Sequence, residues 1–146
     1  MRVLVVGGAG YIGSVTAAEL LAAGHRVTVY DSLISGHAAA VSDEAELVVG
    51  DVRDQEMLAR VFADHRIDAV VYYGGFIVAG ESMSEPGRYF ANNVGGVICL
   101  LNTMLEYDVR RFVFSSSAAV YGQPQTAPIP RTRPSTPLTP TASRRR

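Results

Sequence analysis

The chain has 146 residues, of which 48% are apolar, and its formal net charge is −1. This length suffices for one domain with a hydrophobic core, and the apolar content excludes a disordered chain. A charge near zero offers no attraction for nucleic acid, so we expect no nucleic-acid partner. No apolar run is long enough to cross a bilayer and a strand begins at once, so we expect no membrane segment, no signal peptide and a cytoplasmic protein.

The first thirteen residues combine a strand with a glycine-rich turn. Residues 3–6 are apolar without alternation, which is typical of a strand buried on both faces of a parallel sheet. The following GGAGYIG fits both GxxGxxG and GxGxxG, which lets the backbone approach a pyrophosphate. Residues 14–23 predict a helix that ends at Gly24, with its N-terminal N–H groups facing the phosphates. The alternative is an ordinary turn, because any tight strand-to-helix turn favours glycine.

A second strand is predicted over residues 26–30, and Asp31 ends it. An acid about 20 residues beyond the glycines is where a ribose hydroxyl would be bound. Its charge would repel the additional phosphate of NADP, so the sequence favours NAD.

A third strand over residues 46–51 ends at Asp51, whose carboxylate could receive an adenine amino group. Either Asp51 or Asp54 could instead cap the next helix. Asp54 is the better cap because Met57, Leu58, Val61 and Phe62 follow it at helical spacing. This leaves Asp51 freer for a ligand.

A fourth strand is predicted over residues 68–73, followed by Gly74 and Gly75 at the sheet edge that should face the cofactor. These glycines could equally form only a turn. A loop and Pro86, near a helix start, lead to a long helical segment. Its face of Val94, Ile98, Leu101 and Leu105 is predicted to lie in the core.

A fifth strand over residues 111–115 leads into three serines, Ser115, Ser116 and Ser117. Their hydroxyls could bind a sugar or a reacting alcohol, although loop serines commonly only form turns. The alternation of strands and helices predicts an α/β fold: a Rossmann-like, doubly wound parallel sheet with helices on both faces. The expected strand order is 3-2-1-4-5-6, incomplete at the C-terminal side.

Cysteine and histidine give no sign of a metal site. The single cysteine, Cys99, excludes an intramolecular disulfide and is predicted to be a buried core thiol. The histidines, His25, His37 and His65, have no ligand spacing and are expected at the surface.

Several motifs together resemble the extended short-chain dehydrogenase/reductase family. They are GGAGYIGS, the strand end at Asp31, GDVRD, GES, NNVGG and RFVFSSSAAVYG, and the similarity covers nearly all of residues 1–129. The resemblance implies an NAD cofactor, a UDP-sugar substrate and a homodimer. By that similarity, the cofactor would be lined by Gly7, Gly10, Tyr11, Ile12, Gly13, Asp31, Ser32, Leu33, Ile34, Ser35, Gly36, Asp51, Val52, Tyr73, Gly74, Gly75, Phe76, Ile77, Asn92 and Ser115.

The resemblance also implies a reaction, that of the family members that invert a UDP-sugar at C4. There a tyrosine takes the proton of the 4-hydroxyl while hydride passes from C4 to NAD, and hydride then returns to the other face of the rotated keto sugar. A lysine four residues after the tyrosine lowers its pKa. Ser117 would hydrogen-bond the 4-hydroxyl. Ala118 and Ala119 disfavour dehydration, because related 4,6-dehydratases carry an acid pair there.

The sequence departs from this family in two respects. It contains no lysine, so the tyrosine and lysine of the YxxxK motif are absent as a pair, and the chain as written is predicted to be inactive. The family also commonly has a lysine where this chain ends the stretch YYGGFI at Ile77, which would weaken a cofactor contact. The alternatives are a nucleotide-binding remnant, or another sugar-nucleotide epimerase or reductase of the same family.

Composition divides the chain into a partial NAD-binding domain, residues 1–122, and a Pro/Arg-rich tail, residues 123–146. Family-like codons for NPYGVAK, read one nucleotide late, encode residues 139–145, and the same shift turns PEDAPLD into residues 130–136. We therefore favour a frameshift after about residue 129, the alternative being a natural disordered tail. Sequencing the coding DNA across the Ile129 codon decides between the two.

Overall fold

Five parallel strands form the centre of the computed structural model, which describes residues 1–123, 128–130 and 132. The strands lie in the order β3-β2-β1-β4-β5. This confirms the doubly wound parallel sheet and the predicted order of its first five strands. The strands are β1 (Arg2–Val6), β2 (Arg26–Asp31), β3 (Glu46–Val49), β4 (Ala69–Tyr72) and β5 (Arg111–Phe114).

Helices connect these strands. A π-helical turn, Ala91–Gly95, joins α4 to α5, and short 3-10 turns occur at Ala38–Ala40 and Ala118–Tyr121. No helix in the described part of the chain is long and apolar enough to cross a membrane. The helices are α1 (Tyr11–Ala22), α2 (Gln55–His65), α3 (Ala79–Ser84), α4 (Pro86–Phe90) and α5 (Gly96–Glu106).

Strand β1 is buried on both faces, as its unbroken apolar run predicts. Val3 and Val5 pack in a cluster that includes Ala17 of α1. Leu4 and Val6 pack on the other side in the larger cluster, with side chains of α2 and α5. The sheet therefore has a hydrophobic layer on each face, and both layers position the carboxyl ends of the strands.

The N-terminus of α2 confirms the predicted cap. Asp54 is the N-cap residue, and its carboxylate accepts a hydrogen bond from the Met57 N–H at 3.0 Å. The helix then buries Leu58, Val61 and Phe62, which are three of the apolar residues that predicted it. A second helix, α4, begins at Pro86 as expected.

The predicted core face of the long helix is wrong. Helix α5 buries Leu100, Thr103 and Met104, whereas Ile98 is 54% exposed and Leu105 is 60% exposed. The helix is apolar on more than one side, so helical spacing fits either face, and packing against α2 and Val52 selects the other one. Val94 also lies in the π-helical turn, which shifts the phase of any periodicity counted from it.

The segment before Pro86, predicted as a loop, contains the short helix α3. Cys99, predicted to be a buried core thiol, is only partly buried against the larger cluster, and this burial raises the pKa of its thiol. The tail predicted over residues 123–146 lies outside the described residues except at 123, 128–130 and 132.

An ion pair connects the beginnings of β1 and β4. The guanidinium of Arg2 lies 2.6 Å from Asp68 Oδ1, and the Arg2 backbone N–H donates to Asp68 Oδ2 at 2.8 Å. These hydrogen bonds hold the pKa of the Asp68 carboxyl well below its usual range. The folded chain therefore releases the Asp68 proton more readily than the unfolded chain does.

Stability should consequently decline in acid. Because the folded-state pKa of Asp68 is lowered, its contribution is present above the unfolded value of about 3.9 and is lost as pH falls below it. We expect the melting temperature of the native chain to fall between about pH 5 and pH 2, and to fall less steeply in Asp68→Asn. Thermal melts of the native chain, Asp68→Asn and the matched variant Arg2→Gln across this pH range test the prediction. If the melting temperatures of all three proteins fell equally steeply with pH, the stabilising role of the Asp68–Arg2 ion pair would be contradicted.

Candidate active site

Three loops meet at the carboxyl ends of β1, β2 and β4. The Gly7 N–H donates to the Tyr30 carbonyl at 2.8 Å, and the Tyr73 N–H donates to the Val6 carbonyl at 2.8 Å. The turn after β1 also approaches the loop after β4 closely, because a Cβ added at Gly7 would lie 2.7 Å from the Gly74 nitrogen. The sequence-predicted glycines therefore lie together at one edge of the sheet, where doubly wound folds bind ligands.

The glycine turn presents backbone donors rather than side chains. Gly10 is the N-cap of α1, makes no side-chain capping bond, and is followed by no acid in the first turn. A Cβ at Gly13 would lie 2.7 Å from the Gly8 Cα, so glycine allows α1 to pack directly on the turn. Tyr11, 88% exposed, begins the helix. Uncapped N–H groups at the positive end of a helix suit an anion such as the pyrophosphate of a dinucleotide.

Asp31 is fixed beside this turn. It is only 8% exposed, and its Oδ2 accepts the Ala9 N–H at 2.9 Å. Its Oδ1 accepts the Leu33 N–H at 2.8 Å, so one carboxylate connects the glycine turn to the loop after β2. In that loop Gly36 is buried and packs close to Ala9, whereas Ser32, Ile34 and Ser35 are exposed. The loop thus offers exposed side chains next to a rigidly placed acid.

Asp51 is more constrained than the sequence predicted. Its carboxylate accepts the Arg53 N–H and the Arg53 Nε, each at 2.9 Å, and these hydrogen bonds lower the pKa of Asp51. The Asp51 carbonyl accepts the Tyr30 hydroxyl at 2.8 Å. Val52 is buried against Gly96 of α5, which leaves its backbone rather than its side chain for a ligand. Sequence reasoning missed Arg53 because a two-residue spacing in a loop does not determine whether side chains turn toward each other.

The segment after β4, residues 73–77, is held by hydrogen bonds from several parts of the fold. The Tyr73 hydroxyl lies 2.9 Å from Thr16 Oγ1 of α1, and the Tyr72 hydroxyl donates to the Gly74 carbonyl at 2.6 Å. Asn92 Nδ2 also donates to the Gly74 carbonyl, at 3.4 Å. Ile77, at the end of the segment, is largely exposed. The predicted residues here are brought to the same edge as the glycine turn.

The serines follow β5 at the neighbouring position of the sheet. The Ser115 N–H donates to the Tyr72 carbonyl at 3.1 Å, which extends the pairing of β5 with β4. Ser117 is half-buried two residues later, and its carbonyl accepts the Val120 N–H at 3.2 Å. The side chains of Ala118 and Ala119 lie outside the described part of the structure. Among the described residues, no cluster of three or more histidine, cysteine or acidic side chains could bind a metal.

Comparison with known proteins gives one consistent result. The model of the NAD dependent epimerase/dehydratase family matches residues 3–144. The UDP-glucose 4-epimerase of Lacticaseibacillus casei is 47% identical over 140 residues, covering 96% of this chain and 42% of the relative. That of Halalkalibacterium halodurans is 46% identical with the same coverage. The chain thus spans less than half the length of these relatives.

Solved structures agree with the sequence comparison. The UDP-glucose 4-epimerase from Brucella ovis in complex with NAD has a TM-score of 0.92 and 38% identity, covering 99% of this chain and 44% of that one. The enzyme from Bifidobacterium longum in complex with NAD+ and UDP has a TM-score of 0.93 and 35% identity, covering 99% of this chain and 46% of that one. Both the predicted fold and the family resemblance are confirmed. The chain belongs to the NAD-dependent epimerase/dehydratase family.

Proposed function

We propose that this chain is the NAD-binding part of an enzyme that interconverts UDP-glucose and UDP-galactose. The observation that carries the proposal is the meeting of the glycine turn, Asp31 and the segment 73–77 at one sheet edge. The chain spans about 42% of the length of its curated relatives, so the activity of a whole enzyme is itself part of the proposal.

Each loop would bind one part of the cofactor. The N–H groups of Tyr11, Ile12 and Gly13 would face the pyrophosphate, and Asp31 would accept the hydroxyls of the adenine ribose. Residues 32–36, Asp51 and Val52 would surround the adenine. The other half of the cofactor would be lined by Tyr73, Gly74, Gly75, Phe76, Ile77, Asn92 and Ser115.

When bound, NAD supplies a reversible hydride acceptor for C4 of the sugar. Ser117 would hydrogen-bond the 4-hydroxyl and so orient it, since its position at the end of β5 is adjacent to the end of β4. The proton of that hydroxyl needs a base, which the family resemblance implies is a tyrosine assisted by a lysine. No lysine occurs in these 146 residues, so they contain no such pair.

A second candidate, a nucleotide-binding remnant without catalysis, is favoured by that missing pair. We expect the 146-residue chain alone to give no detectable conversion of UDP-galactose to UDP-glucose, because a missing general base and its partner cost at least about 10²–10⁴-fold in rate. A coupled spectrophotometric assay with added NAD measures this, and a full-length relative serves as the positive control. Turnover above the no-protein background would refute the prediction.

We also propose that the enzyme is a homodimer. The exposed apolar side of α5, with Ile98, Leu101 and Leu105, is where the homodimer implied by the resemblance would form its contact. We further propose the cytoplasm as the location of the enzyme.

Binding of the cofactor tests the proposal directly. We expect NADH to bind the native chain and Gly10→Ala to weaken that binding about tenfold, because a methyl group would stand where the pyrophosphate approaches. Folding should be largely retained, since a Cβ at Gly10 meets only the Gly7 carbonyl oxygen, at 3.4 Å. NADH fluorescence titration measures the affinity.

The matched control for this titration is Gly87→Ala, where an added Cβ meets nothing within 4 Å. This variant should bind NADH like the native chain. Equal affinities for the Gly10→Ala and Gly87→Ala proteins would contradict the pyrophosphate position, and a native chain that does not bind NADH would contradict the proposed function.

A further inference from the structure

Two consecutive asparagines, Asn92 and Asn93, on the π-helical turn between α4 and α5 contact the segment after β4. Each is only 7% exposed. Asn93 Oδ1 accepts the Phe76 N–H at 2.8 Å, and Asn93 Nδ2 donates to the Phe76 carbonyl at 3.0 Å. Asn92 Nδ2 donates to Asn93 Oδ1 at 2.8 Å. Both ends of the Asn93 amide are therefore bonded to the backbone of one residue.

This pairing matters because residues 74–77 belong to no helix or strand. These residues therefore lack the ladder of backbone hydrogen bonds that a helix or strand provides, and Asn93 supplies partners for the partly buried backbone of Phe76. A primary amide offers one donor and one acceptor side by side, which matches the N–H and C=O of Phe76. The Phe76 ring is held as well. Its centroid lies 5.5 Å from that of the Tyr89 ring in an edge-to-face arrangement, and the Arg88 Cζ lies 4.8 Å from it over the ring face.

Asn92 donates to the Gly74 carbonyl, while Asn93 binds both the backbone N–H and the carbonyl of Phe76. Both asparagines lie on the π-helical turn Ala91–Gly95. Such turns are rare and are found frequently at functional sites.

We propose that Asn93 is a positioning residue that fixes the shape of residues 74–77 for the cofactor. The inference rests on the proposed function, in which this segment lines NAD. Asn93 acts through Phe76 and not by contact with the cofactor. Of the two asparagines, the sequence resemblance implied a cofactor contact only for Asn92.

The first test compares two asparagines of the same region in the full 146-residue chain. We expect Asn93→Ala to weaken NADH binding about tenfold or more, which is the scale of losing the two partly buried hydrogen bonds to the Phe76 backbone. Asn102→Ala, at an exposed position of α5, should leave the affinity unchanged. Hydrogen exchange should show faster exchange of the Phe76 amide in Asn93→Ala, with the amides of β1 still protected.

A second variant separates positioning from general damage to the fold. In Asn93→Asp, a protonated carboxyl group again offers one acceptor and one donor, whereas the carboxylate repels the Phe76 carbonyl. Burial raises the pKa of such an acid. NADH affinity of this variant should therefore recover as the pH is lowered from about 8 to about 5, while the native chain and Asn102→Asp change little.

Unchanged affinity in Asn93→Ala, despite faster exchange at Phe76, would overturn the proposal, as would an Asn93→Asp affinity that does not depend on pH. A native chain that fails to bind NADH would instead overturn the proposed function. In that case the exchange of the Phe76 amide still decides whether Asn93 fixes the segment.

Discussion

Replacing Gly7 with alanine is expected to lower the free energy of unfolding by about 2–5 kcal/mol. Two costs combine at this position. The backbone has a φ of +77°, a left-handed conformation that costs a residue with a side chain about 1–2 kcal/mol. The new Cβ would also lie 2.7 Å from the backbone of Tyr73 and Gly74, which cannot move without disturbing β4.

Gly24 provides a matched control for this substitution. Its φ is +80°, but an added Cβ would meet no atom within 4 Å. Gly24→Ala should therefore lower the free energy of unfolding only by the conformational cost, about 1–2 kcal/mol. Urea denaturation followed by circular dichroism measures both variants under one protocol. If the two substitutions lowered the free energy of unfolding equally, the close approach of the loops after β1 and β4 would add nothing to the cost at Gly7.

Some features of this sheet edge are predictable from the sequence and others are not. The glycine turn and the Asp54 cap are local signals, because each depends on residues a few positions apart along the chain. The acid at the end of β2 is predicted by its spacing of about 20 residues from the glycines. The reason for glycine at position 7 is different: it depends on Gly74, which the chain brings close only through the pairing of β1 with β4.

The features that the sequence did not predict have two physical origins. The buried face of α5 was misassigned because the helix is apolar on two sides and tertiary packing selects between them. Asn93 was missed because its partner, Phe76, is 17 residues away and belongs to no regular element. Arg53 was missed although it is near Asp51 in sequence, because loop spacing does not specify side-chain direction. For α5 and Asn93 the missing information was a contact between distant parts of the chain, whereas for Arg53 it was the direction of two side chains within one loop.

Asp31→Asn is expected to reduce the preference for NADH over NADPH and also to lower the free energy of unfolding. The Asp31 carboxylate accepts hydrogen bonds from two backbone N–H groups, of Ala9 and Leu33, and an amide can accept at only one end. The other N–H would lose its partner, at a cost of about 1–3 kcal/mol.

The change in preference follows from charge. A carboxylate at this position repels the 2′-phosphate of NADP, by about 1 kcal/mol at 4 Å in water and about 4 kcal/mol at a partly screened surface. Removing the charge should therefore reduce the preference for NADH over NADPH by about tenfold or more. The exposed Asp43→Asn makes the same change of charge and should leave the preference unaltered.

The ratio of the two dissociation constants is the decisive measurement. Any loss of stability in Asp31→Asn reduces the folded population available to NADH and NADPH equally, so the ratio reports only on the site. Titrations of both cofactors with both variants give this ratio, and a preference that survives in Asp31→Asn would show that another group excludes the phosphate. A preference lost in Asp31→Asn but kept in Asp43→Asn would place the adenine ribose beside the carboxylate that connects the glycine turn to the loop after β2.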